Sequence, residues 1–348
     1  MTAGRIEPKF SVVLPTHNRA DVLPFAIASA LGQTDERLEL LIAGDGCTDG
    51  TAEVVRSFDD PRMHWFDLPK APGVGYANRN AAIRHARGRY IAYLAHDDIW
   101  FPDHLERIGK ALDDTGADLV HSRLLWVDVE GRLRPFTYNL EVPSHRQGLA
   151  RGRAAISITC VAHTRHCLDR AGGWNEQIPR GGDIELWYRI ARLGDARSLA
   201  FVSDPTSLHF TASWSYATAA KWRRRLGRRL LDAMAEAVPN ALRLDAGGGA
   251  TLQEAAWRLL SEDPETCVRA IRQAVVRCHD ALLWRSQSIA GQVGFRAGAS
   301  LGTFVDRVWT RALRLTSADL RRWDRDMRRT QQRGPAGWDV RAPGGGTK

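Results

Sequence analysis

The chain is defined first by what it lacks. No uncharged apolar stretch approaches the ~20 residues needed to cross a bilayer. The nearest, Ser286 to Phe295, is short and carries Gln and Ser. Met1 to Lys9 reaches a polar Pro-Lys step without an apolar core, so no secretory signal is expected. Cysteine is sparse: Cys47, Cys160, Cys167, Cys267 and Cys278 are scattered, with no C-x-x-C pair. That spacing suits neither a zinc site nor a disulfide framework, and reads as reduced thiols in a cytosolic protein. No G-x-x-x-x-G-K-[ST] occurs, which excludes a P-loop. Gly73-Val-Gly75 follows no strand directly and lacks the third glycine of a dinucleotide fingerprint. There is no internal repeat.

Charge is present but unevenly placed. Up to Ser213 there are 25 basic and 27 acidic residues; from Trp214 onward there are 24 and 13. The net charge of +9 therefore belongs to the C-terminal part, which also holds seven of the twelve tryptophans. A simple basic nucleic-acid binder should not divide this way, and no nucleic-acid-binding module is recognisable.

The first part alternates strands and helices. Phe10 to Leu14, Leu38 to Ala43, Met63 to Leu68 and Tyr90 to Ala95 are short apolar runs that read as strands. Helical periods lie between them, over Ala20 to Leu31, Thr51 to Phe58 and Tyr76 to Ala86, with a further helix opening at Pro102. Such alternation predicts βαβ units and a parallel sheet covered on both faces. Asp118 to Val129 and Leu133 to Tyr138 read as a hairpin. An apolar run, Ala155 to Ala162, precedes helices at Arg165 to Ala171 and Ile184 to Arg192. From Tyr216 the pattern is helical, with breaks at Pro239, Gly247 to Gly249, Pro264 and near Gly291 to Gly302. Expected boundaries are 1–215 for the α/β domain, 216–333 for a basic helical region and 334–348 for a Gly/Pro-rich tail.

Ligands of parallel sheets sit at the carboxyl ends of the strands. Three loops lie there: Pro15-Thr16-His17-Asn18-Arg19, Gly44-Asp45-Gly46-Cys47-Thr48-Asp49-Gly50 and His96-Asp97-Asp98. Polar, carboxylate-bearing loops on one sheet edge suit a ligand rich in hydroxyls and phosphates.

The residues of these loops, with others downstream, resemble a known family. Ser11-Val-Val-Leu-Pro-Thr-His-Asn-Arg19, Leu40 to Thr51, Ala77-Asn-Arg-Asn80, Tyr90 to Asp98, Gly172-Gly-Trp-Asn-Glu176 and Gly182-Asp-Ile-Glu-Leu-Trp187 occur in order. Together they are similar to family 2 nucleotide-sugar glycosyltransferases of GT-A fold, over about residues 10–215. The resemblance implies a Rossmann-like, mostly parallel α/β sheet with helices on both faces, followed here by an all-helical C-terminal region. It implies an inverting enzyme that moves a sugar from a nucleotide diphosphate sugar, UDP-linked, to a hydroxyl of a glycan or lipid-linked acceptor.

Residue roles follow from the same resemblance. Pro15, Thr16, Asn18, Asp45, Arg79 and Asp97 match nucleotide-binding positions. Asp98 and His209 match the surroundings of a divalent metal, Mn²⁺ or Mg²⁺, and Asp183 matches the catalytic base. Trp174 and Glu185 are candidates for acceptor or sugar contact. A cation neutralising the diphosphate and a base facing the acceptor hydroxyl are what such chemistry needs. Four positions depart from the family pattern: Ala95 stands for the first aspartate of Asp-x-Asp, Gly44 for another aspartate, Cys47 for a serine and Gly182 for a glutamate before the base. Ala95 and Gly182 motivate a second reading, a decayed GT-A protein acting as an interaction or membrane-docking module.

Plainer readings stand beside several assignments. Asp49 reads as a helix cap, and Asp183 alone would too. Trp100 and Trp174 suit a core or a sugar face equally. The basic segments 221–231 and 321–329 read as a solvated helical face, an anionic membrane surface or a subunit contact. The expected location is cytoplasmic, peripheral at the inner face of the plasma membrane if those segments dock there.

Overall fold

The structure, a computed structural model, describes residues 7–129, 131–135, 138–150, 156–194, 198–210, 244, 246 and 250–276. The segments 221–231, 321–329 and 334–348 lie outside the described residues.

The expected strands form the first half of one sheet. β1 (Phe10–Thr16), β2 (Leu38–Asp45), β3 (Met63–Leu68) and β4 (Tyr90–Tyr93) pair in parallel, in the order β3-β2-β1-β4. Beyond β4 the sheet becomes mixed. It continues through β8 (Val161–Thr164), β6 (Leu119–Val127), β9 (Leu199–Phe210) and β5 (Ile99–Trp100), with β7 (Leu133–Pro135) paired to β6. The β6–β7 hairpin is present as expected.

Alternation along β1 and β2 sorts the core. Val13 and Leu41 face one apolar layer with Tyr76 of α3 (Tyr76–Ile83), Leu168 of α6 (Arg165–Ala171) and Trp187 of α7 (Gly182–Leu193). Val12, Leu14, Leu40 and Ile42 face the other, with Ile27 of α1 (Leu23–Leu31), Val55 of α2 (Thr51–Ser57) and Ile108 of α4 (His104–Thr115). Strands covered on both faces need apolar residues at every position, which explains their unbroken apolar runs. A further helix, α5 (Pro143–Ala150), covers the first layer through Leu149.

A third apolar cluster was not foreseen. Ile99, Phe101, Leu125, Val127, Leu208 and Phe210 pack against Ala256 and Leu260 of α8 (Leu252–Glu262) and against Val268, Ile271, Ala274 and Val275 of a helical run at 264–276. Thr251 caps α8, its side chain accepting from the Glu254 N–H at 3.0 Å, a Thr-x-x-Glu start. Among the described residues no helix is long and apolar enough to cross a membrane.

The end of the sheet opposite the polar loops is held by a buried carboxylate. Glu39, 1% exposed, accepts from the Ser11 hydroxyl (2.6 Å), the Arg87 N–H (2.6 Å) and the Arg87 Nε (2.7 Å). Burial pushes this carboxyl up, but its bonds to Ser11 and Arg87 outweigh that and hold it below its ordinary value of 4.5. Its stabilisation is present above that ordinary value and is lost as pH falls through the lower, folded one. Removing one member of a buried pair costs roughly 3–5 kcal/mol when both are enclosed. The Arg87 side chain is 44% exposed, so Glu39→Ala should cost about 2 kcal/mol. By calorimetry its melting temperature should drop by roughly 4–8 °C near neutral pH, and the difference from wild type should shrink in acid.

Candidate active site

The three polar loops meet at the carboxyl edge of the parallel strands. Asn18, in the left-handed region at φ 51°, clamps the first loop to the second: its Oδ1 accepts from the Thr48 N–H at 2.7 Å, and its Nδ2 donates to Thr48 Oγ1 at 3.2 Å. Asp49 does similar work, accepting from the Thr51 N–H (3.0 Å) and the Ala20 N–H (3.2 Å); it holds the turn one residue ahead of Gly50, which takes the N-cap position of α2 in place of the Asp49 expected there. Pro15 and Thr16 end β1, and the Thr16 hydroxyl is buried without a hydrogen bond among the described residues. Cys47 packs in this region, its Sγ 3.7 Å from the Thr16 carbonyl.

Asp45 ends β2 and is 5% exposed. It accepts from the Ala71 N–H at 2.7 Å, from Asn78 Nδ2 at 2.8 Å and from Lys70 Nζ. The carboxylate thereby fixes the 70–78 turn against the sheet. Sequence reasoning missed Lys70, which carries no motif, and gave no role to Asn78, although it lies in the Ala77-Asn-Arg-Asn80 motif.

Two departures from the family pattern have steric explanations. A Cβ on Gly44 would stand 2.4 Å from the Trp65 ring, and one on Gly182 would stand 2.5 Å from the Tyr76 ring. In each case an aromatic ring fills the space of the absent acidic side chain. The Tyr76 hydroxyl also accepts from the Gly182 N–H at 2.7 Å, joining the start of α3 to the start of α7. The same Tyr76 ring stacks on Trp174, with centroids 5.4 Å apart and planes 10° from parallel. The Arg79 guanidinium lies 5.0 Å from the Tyr76 centroid and 4.8 Å from that of Trp174. Arg79 forms no salt bridge among the described residues, and its buried Nε has no hydrogen-bond partner. Burial pulls its affinity for protons down, opposed by Tyr76 and Asp183, yet an arginine stays charged.

The acidic pair divides sharply. Asp98 has no exposed surface. Its Oδ1 accepts from the Phe210 N–H at 3.0 Å, and its Oδ2 from His209 Nδ1 at 2.8 Å and from the Thr159 hydroxyl. Asp98 is thus turned inward, an anchor between β5 and β9, beside His209, the other residue expected near the metal. Its neighbour Asp97 has the opposite character. The Asp97 carboxylate makes no hydrogen bond among the described residues, and the His96 Nε2 stands 4.0 Å from it, on a ring that burial biases toward the neutral form. Burial raises the Asp97 pKa, with the Asp98 charge adding to the effect. Asp97 lies in the turn closed by the Asp98 N–H on the Ala95 carbonyl at 3.1 Å, while Asp98 leads into β5, which accounts for the split.

Burial alone would push the His209 imidazole down. The charge and hydrogen bond of Asp98, with Asp97 and Asp183 behind them, lift it to about 9. Nδ1 faces Asp98, so Nε2 is the ring nitrogen left for another partner. Asp183, in the first turn of α7, is raised by burial, while Arg79 and His209 oppose the rise. Arg79 thus acts on Asp183, Asp183 on His209, and His209 on Asp97 and Asp98, a chain of neighbouring charges.

Two expected ligand contacts are corrected. Trp174 is 2% exposed, stacked on Tyr76 and donating from Nε1 to the Tyr93 hydroxyl at 3.3 Å, so it has no open face for a sugar. Glu185, 6% exposed, is bound by Arg189 through two bonds of 2.6 and 2.7 Å, and holds α7 to the turn after α6. Trp100 is likewise core, 1% exposed and donating to the Thr159 carbonyl at 2.8 Å.

Fold and loop arrangement together are those of a GT-A-type domain. Residues 11–169 match the family described as "Glycosyl transferase family 2". Among curated relatives, the succinoglycan biosynthesis protein ExoO of Rhizobium meliloti is 38% identical over 131 residues, 37% of each chain. The chondroitin synthase of Pasteurella multocida is 29% identical over 210 residues, 58% of this chain and 21% of that one. The chain spans about a third of the length of the first curated relatives it matches. Among solved structures, S. aureus TarS 1–349 in complex with UDP-GlcNAc aligns with a TM-score of 0.52 at 16% identity, covering 90% of this chain and 82% of that one. That likeness speaks to fold alone.

Proposed function

We propose that the protein is an inverting, divalent-metal-dependent glycosyltransferase that takes a sugar from a UDP-linked donor and passes it to a hydroxyl of a glycan or lipid-linked acceptor. One observation carries the reading: where the polar loops meet, the buried Arg79 guanidinium forms no salt bridge among the described residues and the Asp97 carboxylate forms no hydrogen bond. Such a cation and carboxylate, with Asp183 and His209 each acting on the other's charge, suit a ligand that carries a diphosphate and its counter-ion.

In this reading Arg79, beside the stacked rings of Tyr76 and Trp174, meets the diphosphate. Asp183 takes the proton of the acceptor hydroxyl as that oxygen attacks the anomeric carbon from the face opposite the departing nucleotide. Asp45, Lys70 and Asn78 keep the nucleotide-side turn rigid. Among the described residues no group of three or more His, Cys, Asp or Glu side chains could hold a metal unaided. The residues present fit a cation that takes few protein ligands and completes its shell with phosphate oxygens. Asp97 would hold it together with Nε2 of His209, whose ring Asp98 orients from behind, a usual arrangement for a ligating histidine. When bound, the ion supplies charge neutralisation for the leaving diphosphate.

The alternative, a decayed module, is weakened by Trp65 and Tyr76, which fill the space at Gly44 and Gly182, two of the four departures. The location and membrane contact proposed here rest on basic segments outside the described residues. The test is donor hydrolysis across a panel of nucleotide sugars with Mn²⁺ or Mg²⁺, which needs no acceptor. UDP release from at least one donor, abolished by EDTA and restored by added metal, is expected. Failure of every donor, together with no UDP binding at millimolar concentration by calorimetry, would favour the decayed module.

A further inference from the structure

The helices at 252–276 grip the segment that begins at the acidic loop. The contact runs along the whole segment 97–103. Gln253 Nε2 donates to the Asp97 carbonyl at 3.3 Å. Ile99 and Phe101 bury their side chains among Ala256, Leu260, Val268 and Ile271. Arg272 closes on Asp103 through two bonds of 2.7 and 2.8 Å, while donating to the Pro205 carbonyl at 3.2 Å. A planar guanidinium fork on a carboxylate is the geometrically specific form of ion pair. The backbone joins in: the Leu244 N–H donates to the Gly131 carbonyl at 2.8 Å.

Asp98 and Asp97 differ in how they are held. Three donors from β9 and the turn at Thr159 fix the Asp98 carboxylate. The Asp97 side chain has no such bond, so its direction depends on its own peptide. That peptide lies in the turn closed by the Asp98 N–H on the Ala95 carbonyl at 3.1 Å, and its carbonyl is held by Gln253.

We propose that Gln253 is a positioning residue for Asp97, and that residues 252–276 are part of the frame of the donor site. The inference rests on the donor-site reading above. It gives the C-terminal helices a role in the chemistry that basic charge alone did not suggest.

Gln253→Met keeps the side-chain volume and removes the donor. In the full chain it should speed amide hydrogen exchange at residues 95–101 by about fivefold, one modest hydrogen bond's worth. It should weaken UDP binding in Mn²⁺, followed by calorimetry, by a similar factor, with the melting temperature within about 1 °C of wild type. Gln253→Glu serves as the second variant. A carboxylate in the first turn of α8 favours the helix, so a merely structural Gln253 predicts equal or higher stability and unchanged binding. A positioning role predicts weaker binding despite the intact helix. Unmoved exchange and binding in both variants would overturn the proposal, as would a uniform rise in exchange with a lowered melting temperature. Faster exchange confined to 95–101, in a protein whose wild type binds no UDP, would uphold the tether and sink the donor-site reading instead.

Discussion

Asp183→Asn should lower sugar transfer by about 10²- to 10⁴-fold in kcat, the usual contribution of a positioned base, and leave the donor KM within about twofold. The carboxamide keeps the shape of the side chain at the start of α7 but cannot take a proton from the acceptor. A pH profile sharpens the test. Burial raises the Asp183 pKa above its ordinary value of 3.8. Wild-type kcat should therefore fall as pH drops through that raised value, because the base must be ionised to act. The same limb should be absent from whatever activity the variant retains. Full transfer by Asp183→Asn would remove this residue from the chemistry.

The second large effect concerns the acidic pair. Asp98→Ala leaves the Phe210 N–H, the Thr159 hydroxyl and the charged His209 without their shared acceptor. Breaking a buried pair by deleting one partner costs about 3–5 kcal/mol, a melting-temperature loss on the order of 10 °C for a domain of this size. Activity should vanish with it. Asp97→Ala should also abolish transfer, yet melt within about 2 °C of wild type, because the Asp97 carboxylate bonds to nothing among the described residues. Differential scanning calorimetry beside a transfer assay separates the two. If Asp97→Ala were the destabilised variant and Asp98→Ala the stable one, the division of roles would be reversed.

Much of this was legible in the chain. The strands β1 to β4 could be read because a strand buried on both faces must be apolar throughout, and Phe10 to Leu14 and Leu38 to Ala43 have that form. β9 could not be read. Its twelve residues contain Ser203-Asp204-Pro205, a run that reads as a loop. The β6–β9 pairing shifts register around Arg123, opposite Pro205, and such an irregularity is where a strand tolerates proline. β5 spans two residues, too few for any periodicity.

The site shows the same pattern. Its carboxylates stood out as a motif, and the loops that carry them were placed correctly at the strand ends. Which of Asp97 and Asp98 faces inward was not legible, because the answer lies with Thr159, His209 and Phe210, remote in the chain. Trp174 and Glu185 misled for a related reason. An aromatic ring or a carboxylate beside a catalytic residue looks ligand-facing until Tyr76 covers one and Arg189 the other. Gly44 and Gly182 looked like losses of function from the sequence; the rings of Trp65 and Tyr76 make them substitutions of shape.

The grip of the C-terminal helices on the 97–103 segment also bears on biosynthesis. A ribosome delivers Asp98 more than a hundred residues before the His209 and Phe210 that complete its bonds. Gln253 follows Asp97 by 156 residues, and Arg272 follows Asp103 by 169. Domains fold largely as their chains emerge, and contacts of such separation form late. The parallel half of the sheet can assemble on the ribosome while Ile99 and Phe101 still await their cover. A nascent chain stalled before residue 252 would present those side chains to chaperones, and would acquire a competent acidic loop only once residues 252–276 had been made.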